Sequence, residues 1–130
     1  MVKTIDLFEI KPETRSFEVL HPASGEPIGL NITLMSADDP KMKPIIRQII
    51  DRNNQLKKRG KVLKAAEIDQ NQTALYGATI VEWNWYGDIS FKGEKPKLNP
   101  KNVKEVLTEL SWLASQIEDE LSDEKGFFQT

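Results

Sequence analysis

Side chains that commonly carry acid–base or metal chemistry are scarce in this chain of 130 residues. It has one histidine, His21, and no cysteine. A metal site or a nucleophile–base pair needs further residues of these types, so neither is expected. Asp38 and Asp39 form an acidic pair, but they precede Pro40, and an aspartate before a proline is typical of a helix start. The sequence therefore predicts a protein that is not an enzyme and binds no metal or cofactor, with His21 as a turn residue.

Two blocks of like charge are the next candidates for a binding role. The basic block comprises Lys57, Lys58, Arg59, Lys61 and Lys64, and the acidic block comprises Glu118, Asp119, Glu120, Asp123 and Glu124. The chain has a net charge of −2 and no aromatic residues among these lysines, so nucleic acid is not the expected partner. A solvated helix end is the simpler interpretation of the basic block. Opposite blocks on one molecule also suit head-to-tail contacts between copies.

Aromatic residues are concentrated in the second half of the chain, at Trp83, Trp85, Tyr86, Phe91 and Trp112. One interpretation is a core anchor where two helices meet, and the other is a partly exposed patch that binds apolar segments of a partner. On a helix, residues two apart face different directions, so at least one of Trp83 and Trp85 is a candidate for exposure. Phe127 and Phe128 lie beyond the last amphipathic stripe. The candidate partner-binding residues are therefore Trp83, Trp85, Trp112, Phe127 and Phe128.

A β-hairpin at residues 16–35 is the first element that would position these residues. Apolar side chains alternate with their neighbours around Phe17 and again from Ile28 to Leu34, and the stretch from Pro22 to Pro27 between them is rich in proline, serine and glycine. Period-two alternation on both sides of such a cluster indicates two antiparallel strands. A lone hairpin is marginally stable in water, so we expect it to pack on helices or on another subunit.

Three helices are predicted after the hairpin, near residues 40–59, 62–86 and 100–123. Their apolar residues recur at three- and four-residue spacings, which is typical of amphipathic helices. Pro44 favours a first helix that begins nearer Lys43, and Gly77 inside the second helix indicates close packing. The expected fold class is α+β, a mainly α-helical single domain with an N-terminal β-hairpin. The predicted core includes Ile46, Ile49, Ile50, Leu75, Val106, Leu107 and Leu110.

Length and composition describe one globular domain, with 38% hydrophobic and 29% charged residues. Residues 1–14 are interpreted as an apolar N-terminal arm that orders on contact, and residues 15–130 as the single domain. The chain has neither the apolar run of a signal peptide nor an apolar stretch long enough to span a bilayer. We therefore expect a cytoplasmic protein with no membrane partner.

The order of these features resembles the tail assembly chaperones of long-tailed bacteriophages of the siphovirus type. Those proteins often carry a strand, a turn similar to Asp-Pro-Ala-Thr-Gly-Glu-Pro, a second apolar strand, a Trp-containing segment, a capped helix start, a Trp-hydrophobic pair and a late aromatic residue. The matching segments here are Phe17 to Val19, His21 to Pro27, Ile28 to Leu34, Val81 to Trp85, Asn99 to Val103, Trp112-Leu113 and Phe127-Phe128. His21 stands where an aspartate is more usual, and no proline precedes Trp112, so the last helix is expected to run straight where relatives break it.

The resemblance implies a non-enzymatic chaperone that binds and solubilises the tape measure protein and promotes assembly of the tail tube around it. It further implies a homo-oligomer, an open spiral or ring, in the host cell cytoplasm and not in the mature virion. In many relatives a longer frameshifted product contacts the tail tube protein. The chain's apolar arm, its hairpin edge and its charge blocks are candidates for the self-association surface.

Two other functions stay open at the level of the sequence. A permanent small structural component of a phage tail or neck would share the size, the composition and the absence of catalytic motifs. A nucleic-acid-binding regulator acting through residues 57–64 is a third and weaker alternative, since the chain has no net positive charge.

Overall fold

The computed structural model describes residue 4 and residues 6–58, 60, 65–123, 127 and 128. Within this part of the chain the protein has four α-helices and a three-stranded antiparallel sheet whose strands are neighbours in chain order. The α+β fold class with an N-terminal hairpin is therefore confirmed. The elements are β1 Arg15–Leu20, β2 Pro27–Leu34, α1 Lys43–Lys58, α2 Ala65–Thr79, β3 Ile80–Trp85, α3 Pro100–Glu109 and α4 Ser111–Ser122.

The turn between β1 and β2 is organised by His21. Its Nδ1 accepts the backbone N–H of Ala23 at 3.0 Å and that of Ser24 at 3.3 Å. The N–H of His21 donates to the carbonyl oxygen of Glu26 at 2.8 Å. A side-chain acceptor that bonds the backbone two residues further on is a common device of tight turns. The interpretation of His21 as a turn residue is confirmed.

The first helix begins as the prolines predict. Asp39 Oδ1 accepts the N–H of Lys41 at 2.9 Å and caps a short 3₁₀ turn, Pro40–Met42. The α-helix α1 then starts at Lys43. Pro44 falls in its first turn, where the missing N–H would have no helical partner. The prediction of a start nearer Lys43 is confirmed, and Asp39 has a capping role.

The second predicted helix, 62–86, is wrong beyond Thr79. There α2 ends, and Ile80–Trp85 forms β3, which pairs antiparallel with β2. The segment reads Ile-Val-Glu-Trp-Asn-Trp, and β-branched and aromatic residues fit a pleated, half-buried surface. The edge of β2 that β1 does not cover pairs with this segment. The spacing of apolar residues along the chain does not reveal such a distant partner. Residues 62–64 lie outside the described residues.

Close packing between α2 and α3 centres on Gly77. A Cβ at this position would lie 2.8 Å from Cγ1 of Val103, a separation that side chains do not tolerate. Glycine therefore lets the two helices approach, although it lowers helix propensity by about 1 kcal/mol relative to alanine. The interpretation of Gly77 as a close-packing position is confirmed.

The third predicted helix, 100–123, is in fact two helices. Leu110 has φ −110° and ψ 75° and separates α3 from α4. Neither proline nor glycine marks the break, and the apolar stripe continues across it, with Val106, Leu107 and Leu113 all buried. The expectation of a straight last helix is therefore wrong. The spacing of apolar residues is the same on both sides of the break, so the sequence pattern does not reveal it.

The core joins side chains from all three strands with side chains from α3 and α4. Its buried apolar members are Val19, Leu30, Ile32, Leu34, Ile80, Trp83, Val103, Val106, Leu107, Leu113, Ile117 and Phe127. The predicted core residues Val106 and Leu107 are confirmed, and Leu110 is half-buried against this cluster.

The predicted core is wrong for α1. Ile50 is 51% exposed, while Ile46 and Ile49 are half-buried outside the core cluster. Leu75 of α2 is half-buried and lies outside it too. The physical reason is that α1 packs against α2 and the preceding 3₁₀ turn and has no extensive contact with the sheet.

The outer edge of β1 is partly covered by α4. The side-chain amide of Gln116 accepts the N–H of Leu20 at 2.9 Å and donates to the Leu20 carbonyl oxygen at 2.8 Å. At the other end of β1, Arg15 contacts Glu120 at 3.2 Å and Asp123 at 2.7 Å. The hairpin edge and part of the acidic block thus form contacts within the chain. The prediction that they are available for self-association is therefore wrong for these residues.

Candidate partner-binding site

Two of the five candidate partner-binding residues are buried. Trp83 is 8% exposed and Phe127 is 1% exposed, and both belong to the core. The carbonyl oxygen of Phe127 also accepts the N–H of Glu13 at 2.6 Å, which ties the chain's end to the residues before β1. The prediction that Trp83 and Phe127 are exposed contact residues is therefore wrong.

The other three candidates, Trp85, Trp112 and Phe128, are half-buried and pack against the core. Trp83 and Trp85 lie two residues apart on a strand, where side chains at i and i+2 share a face. Their ring centroids are 5.6 Å apart with an interplanar angle of 87°, an edge-to-face contact that is favourable for aromatic pairs. The structure thus favours the core-anchor interpretation of the tryptophans, one of the two that the sequence left open, although Trp83 and Trp85 lie on a strand and not on a helix.

An apolar stripe that lies outside the core is found instead on α1. It consists of Ile45, Ile46, Ile49 and Ile50, and the sequence assigned the last three of these to the core. In the part of α2 whose side chains are described, the seam with α1 includes a hydrogen bond from Asn71 Nδ2 to Asn53 Oδ1 of 3.0 Å. The isoleucine stripe borders this polar seam. The three- and four-residue spacing located the stripe correctly, but it did not show that the stripe lies outside the core.

A partly open groove of about 700 Å³ runs between α1, α2 and the start of α3. One wall is formed by Ile45 and Ile49, and the opposite wall includes Pro100 and Val103. Its floor is made by small residues of α2, among them Ala74, Gly77 and Ala78. A smaller hollow of about 260 Å³ lies on the other side of the α1–α2 seam, lined by Ile46, Ile50 and Leu75 among others. The isoleucines of α1 therefore line two adjacent apolar depressions.

The charges at the larger groove have one sign. Arg52 of α1 and Lys104 of α3 line it, and among the described residues no aspartate or glutamate does. The sequence of α1 contains five lysines and arginines against a single aspartate, Asp51. A chain with net charge −2 thus presents its exposed apolar stripe on a basic helix.

The carboxylates of α3 are partly neutralised by the loop before that helix. Lys92 Nζ lies 3.1 Å from Glu105 Oε1 and 3.5 Å from Glu109 Oε1. The hydrogen bond to Glu105, followed by the charge of Glu109, raises the pKa of Lys92 above its ordinary value. These acidic residues consequently interact with Lys92 and do not line the groove beside Lys104.

The charge blocks predicted from the sequence are only partly within the described residues. Arg59, Lys61, Lys64 and Glu124 lie outside them, so the extent of the basic block stays a prediction. Lys58 is exposed, as are Glu118 and Asp119.

A metal-binding cluster is not found among the described residues. No group of three or more histidine, cysteine, aspartate or glutamate side chains converges there as a metal site would require. None of the helices in the same part of the chain combines the length and the apolarity needed to cross a membrane.

Comparisons with known proteins give no assignment of family. No family model matches the chain, no curated protein matches it, and no solved structure matches it.

Proposed function

We propose that this protein is a non-enzymatic tail assembly chaperone of a long-tailed bacteriophage, which binds the tape measure protein and keeps it soluble while the tail tube assembles around it. The observation that carries the proposal is the apolar stripe of α1, with Ile50 51% exposed and Ile46 and Ile49 outside the core. A contiguous exposed apolar surface on a folded chain is typical of a binding site.

The shape of this surface suits a helical partner. An amphipathic helix can place its apolar side chains in a groove formed by other helices, which is a recurring mode of peptide recognition. The groove between α1, α2 and α3 has an apolar wall on each side, formed by Ile49 and Val103, and small residues on its floor. A long, largely helical tape measure protein offers such segments repeatedly along its length.

The proposal includes many copies of the chaperone on one tape measure protein. An interface that joins unlike surfaces and does not close on itself gives an open spiral, and one that closes gives a ring. The protein would act in the host cell cytoplasm and leave before the virion matures. Contact with the tail tube protein would come from a longer frameshifted product.

Co-expression with the tape measure protein encoded nearby tests the function directly. We expect the wild-type chain to move the tape measure protein from the insoluble to the soluble fraction. The variant Ile50→Lys should lose most of this effect, because a cation replaces part of the apolar stripe. Val81→Lys is the matched control, since Val81 is 47% exposed on the sheet and lies outside the α1 stripe and both depressions beside it. A tape measure protein that stays insoluble with the wild-type chain would contradict the proposal.

Mass spectrometry of purified virions separates this function from that of a permanent tail or neck component. A chaperone is absent from finished particles, whereas a structural component is present in fixed proportion to the other tail proteins. Detection of the chain at such a proportion would favour the structural component.

A further inference from the structure

We infer that the groove between α1, α2 and α3 selects an amphipathic helix whose apolar stripe is flanked by carboxylates. This inference rests on the proposed function and adds the chemistry of the segment that is bound. It combines the apolar lining of the groove with the sign of the charges along it.

The apolar lining determines that the occupant inserts apolar side chains. Ile45 and Ile49 on one wall face Pro100 and Val103 on the other across a volume of about 700 Å³. The floor includes the short side chains of Ala74 and Ala78, so an inserted side chain can come close to α2. A helix that presents residues at spacings of three and four along one face matches a groove formed by helices.

The charges determine what flanks that apolar stripe. Arg52 and Lys104 come from different helices, α1 and α3, and both line the groove. Neither forms an ion pair with any other described residue. Carboxylates on the occupant would pair with these two cations, whereas lysines in the same places would be repelled. A wholly apolar helix would desolvate the two cations without compensation.

The acidic helix of the chain itself is a poor occupant. The apolar side of α4 is already used, since Leu113 and Ile117 are fully buried in the core. A second copy could offer only the charged side of α4 to the groove, without apolar side chains to insert. The occupant that we infer is therefore a segment of another protein and not α4 of a second copy.

Three synthetic helical peptides of about 20 residues, roughly 30 Å long, test the inference. All share one leucine stripe, and the positions that flank it are glutamate, glutamine or lysine. Fluorescence anisotropy with the intact protein should give the tightest binding for the glutamate peptide. We expect it to exceed the glutamine peptide by roughly three- to thirtyfold at low salt, the scale of two exposed ion pairs. The lysine peptide should bind weakest, and added salt should reduce the differences.

Charge reversal within the groove should reverse the order. The double variant Arg52→Glu and Lys104→Glu is expected to prefer the lysine peptide. The double variant Arg47→Glu and Lys101→Glu is the matched control, because it makes the same changes on the same two helices at exposed positions that do not line the groove. This control should keep the preference for glutamate. Circular dichroism and thermal melting of both variants establish that they are folded.

The outcomes separate this inference from the proposed function. Equal binding of the three peptides, or loss of the preference in both double variants alike, would overturn the inference. If this happened while the tape measure protein was still solubilised, the proposed function would stand without it. Preference for the glutamate peptide without solubilisation would support the groove chemistry and contradict the proposed function. Self-association that depends on Arg52 and Lys104, with no peptide binding, would overturn the inference in favour of a second copy as the occupant.

Discussion

At the scale of single residues, burial divides the chain's aliphatic side chains into two groups with different roles. Leu107 is 2% exposed among residues from the sheet and the helices, while Ile50 is 51% exposed on α1. Both belong to regular apolar stripes in the sequence. Only the first contributes to the core of the isolated chain, so the two positions should respond differently to truncation.

Alanine substitutions at Leu107 and Ile50 test this difference in burial. Leu107→Ala should lower the free energy of unfolding by about 2–5 kcal/mol, because it removes buried methyl groups and leaves a cavity. Ile50→Ala should change it by less than about 0.5 kcal/mol, as is usual for surface positions. Denaturant unfolding of both variants provides the measurement. A large loss at Ile50 would mean that α1 packs on the body of the protein more tightly than the structure indicates.

Tyr76 gives a second prediction at this scale. Burial first, then the charge of Glu118 and a hydrogen bond to it, raise the pKa of Tyr76 above its ordinary value of 10.0. The folded state therefore holds the phenol proton more tightly than the unfolded state does. The stability linked to this proton is complete below the ordinary tyrosine pKa and is lost as the pH rises through the raised pKa of the folded state.

Tyrosinate absorbance as a function of pH measures this effect. The chain has two tyrosines, so the Tyr86→Phe background leaves Tyr76 as the single phenol that titrates. Glu118→Gln should lower the pKa of Tyr76 but leave it above 10.0, because burial is the largest cause. Asp119→Asn is the control and should have little effect. An unchanged titration in the Glu118 variant would exclude the proposed interaction.

At the scale of elements, the connection after β3 is held by a close contact between two glycines. Gly29 has φ +93°, and a Cβ there would overlap the Cα of Gly87. The N–H of Gly87 donates to the Gly29 carbonyl oxygen at 2.8 Å. Lys95 Nζ also donates to the carbonyl oxygen of Gly87 at 2.9 Å. This contact fixes the chain as it leaves the sheet after the tryptophans.

Alanine at Gly29 should be costly for two reasons that a control can separate. Gly25 also has positive φ, +71°, but a Cβ there meets nothing within 4 Å. Gly25→Ala should therefore lower the free energy of unfolding by about 1–2 kcal/mol through backbone strain alone. Gly29→Ala adds the steric overlap and should lower it by about 2–5 kcal/mol. Thermal or denaturant unfolding distinguishes them, and equal effects would argue against the close contact.

The elements also show which features local sequence patterns determine. The turn at His21 and the start of α1 after Asp39 follow from neighbouring residues, and both are predictable. The strand β3 depends on pairing with β2, whose residues lie far away in the sequence, so helical spacing around Trp83 was misleading. The exposure of the α1 stripe likewise depends on tertiary packing, because periodicity identifies an apolar face without identifying what covers it. The candidate site was missed for this second reason.

At the scale of the whole molecule, charge and apolar exposure are distributed unevenly. The helix α1 contains five basic residues and one acidic residue, and α4 contains three acidic residues and no basic one. Arg15 engages Glu120 of α4, while Asp119 is exposed on the same helix. Because opposite charges lie on separate helices, one copy can place the side of α1 that carries Arg47, which does not line the groove, against α4 of the next. Such a contact joins unlike surfaces.

Sedimentation velocity over a series of sodium chloride concentrations tests this self-association. We expect oligomers at low salt that dissociate as salt screens the charges. Asp119→Lys should weaken them, whereas Glu94→Lys makes the same charge change in the exposed loop before α3 and should not. Oligomers that are insensitive to salt would point to the apolar arm, where Leu7 is 77% exposed and Ile10 is 53% exposed. A strict monomer at high protein concentration and low salt would remove the homo-oligomer from the proposed function, and a single copy could then cover only one segment of a long partner.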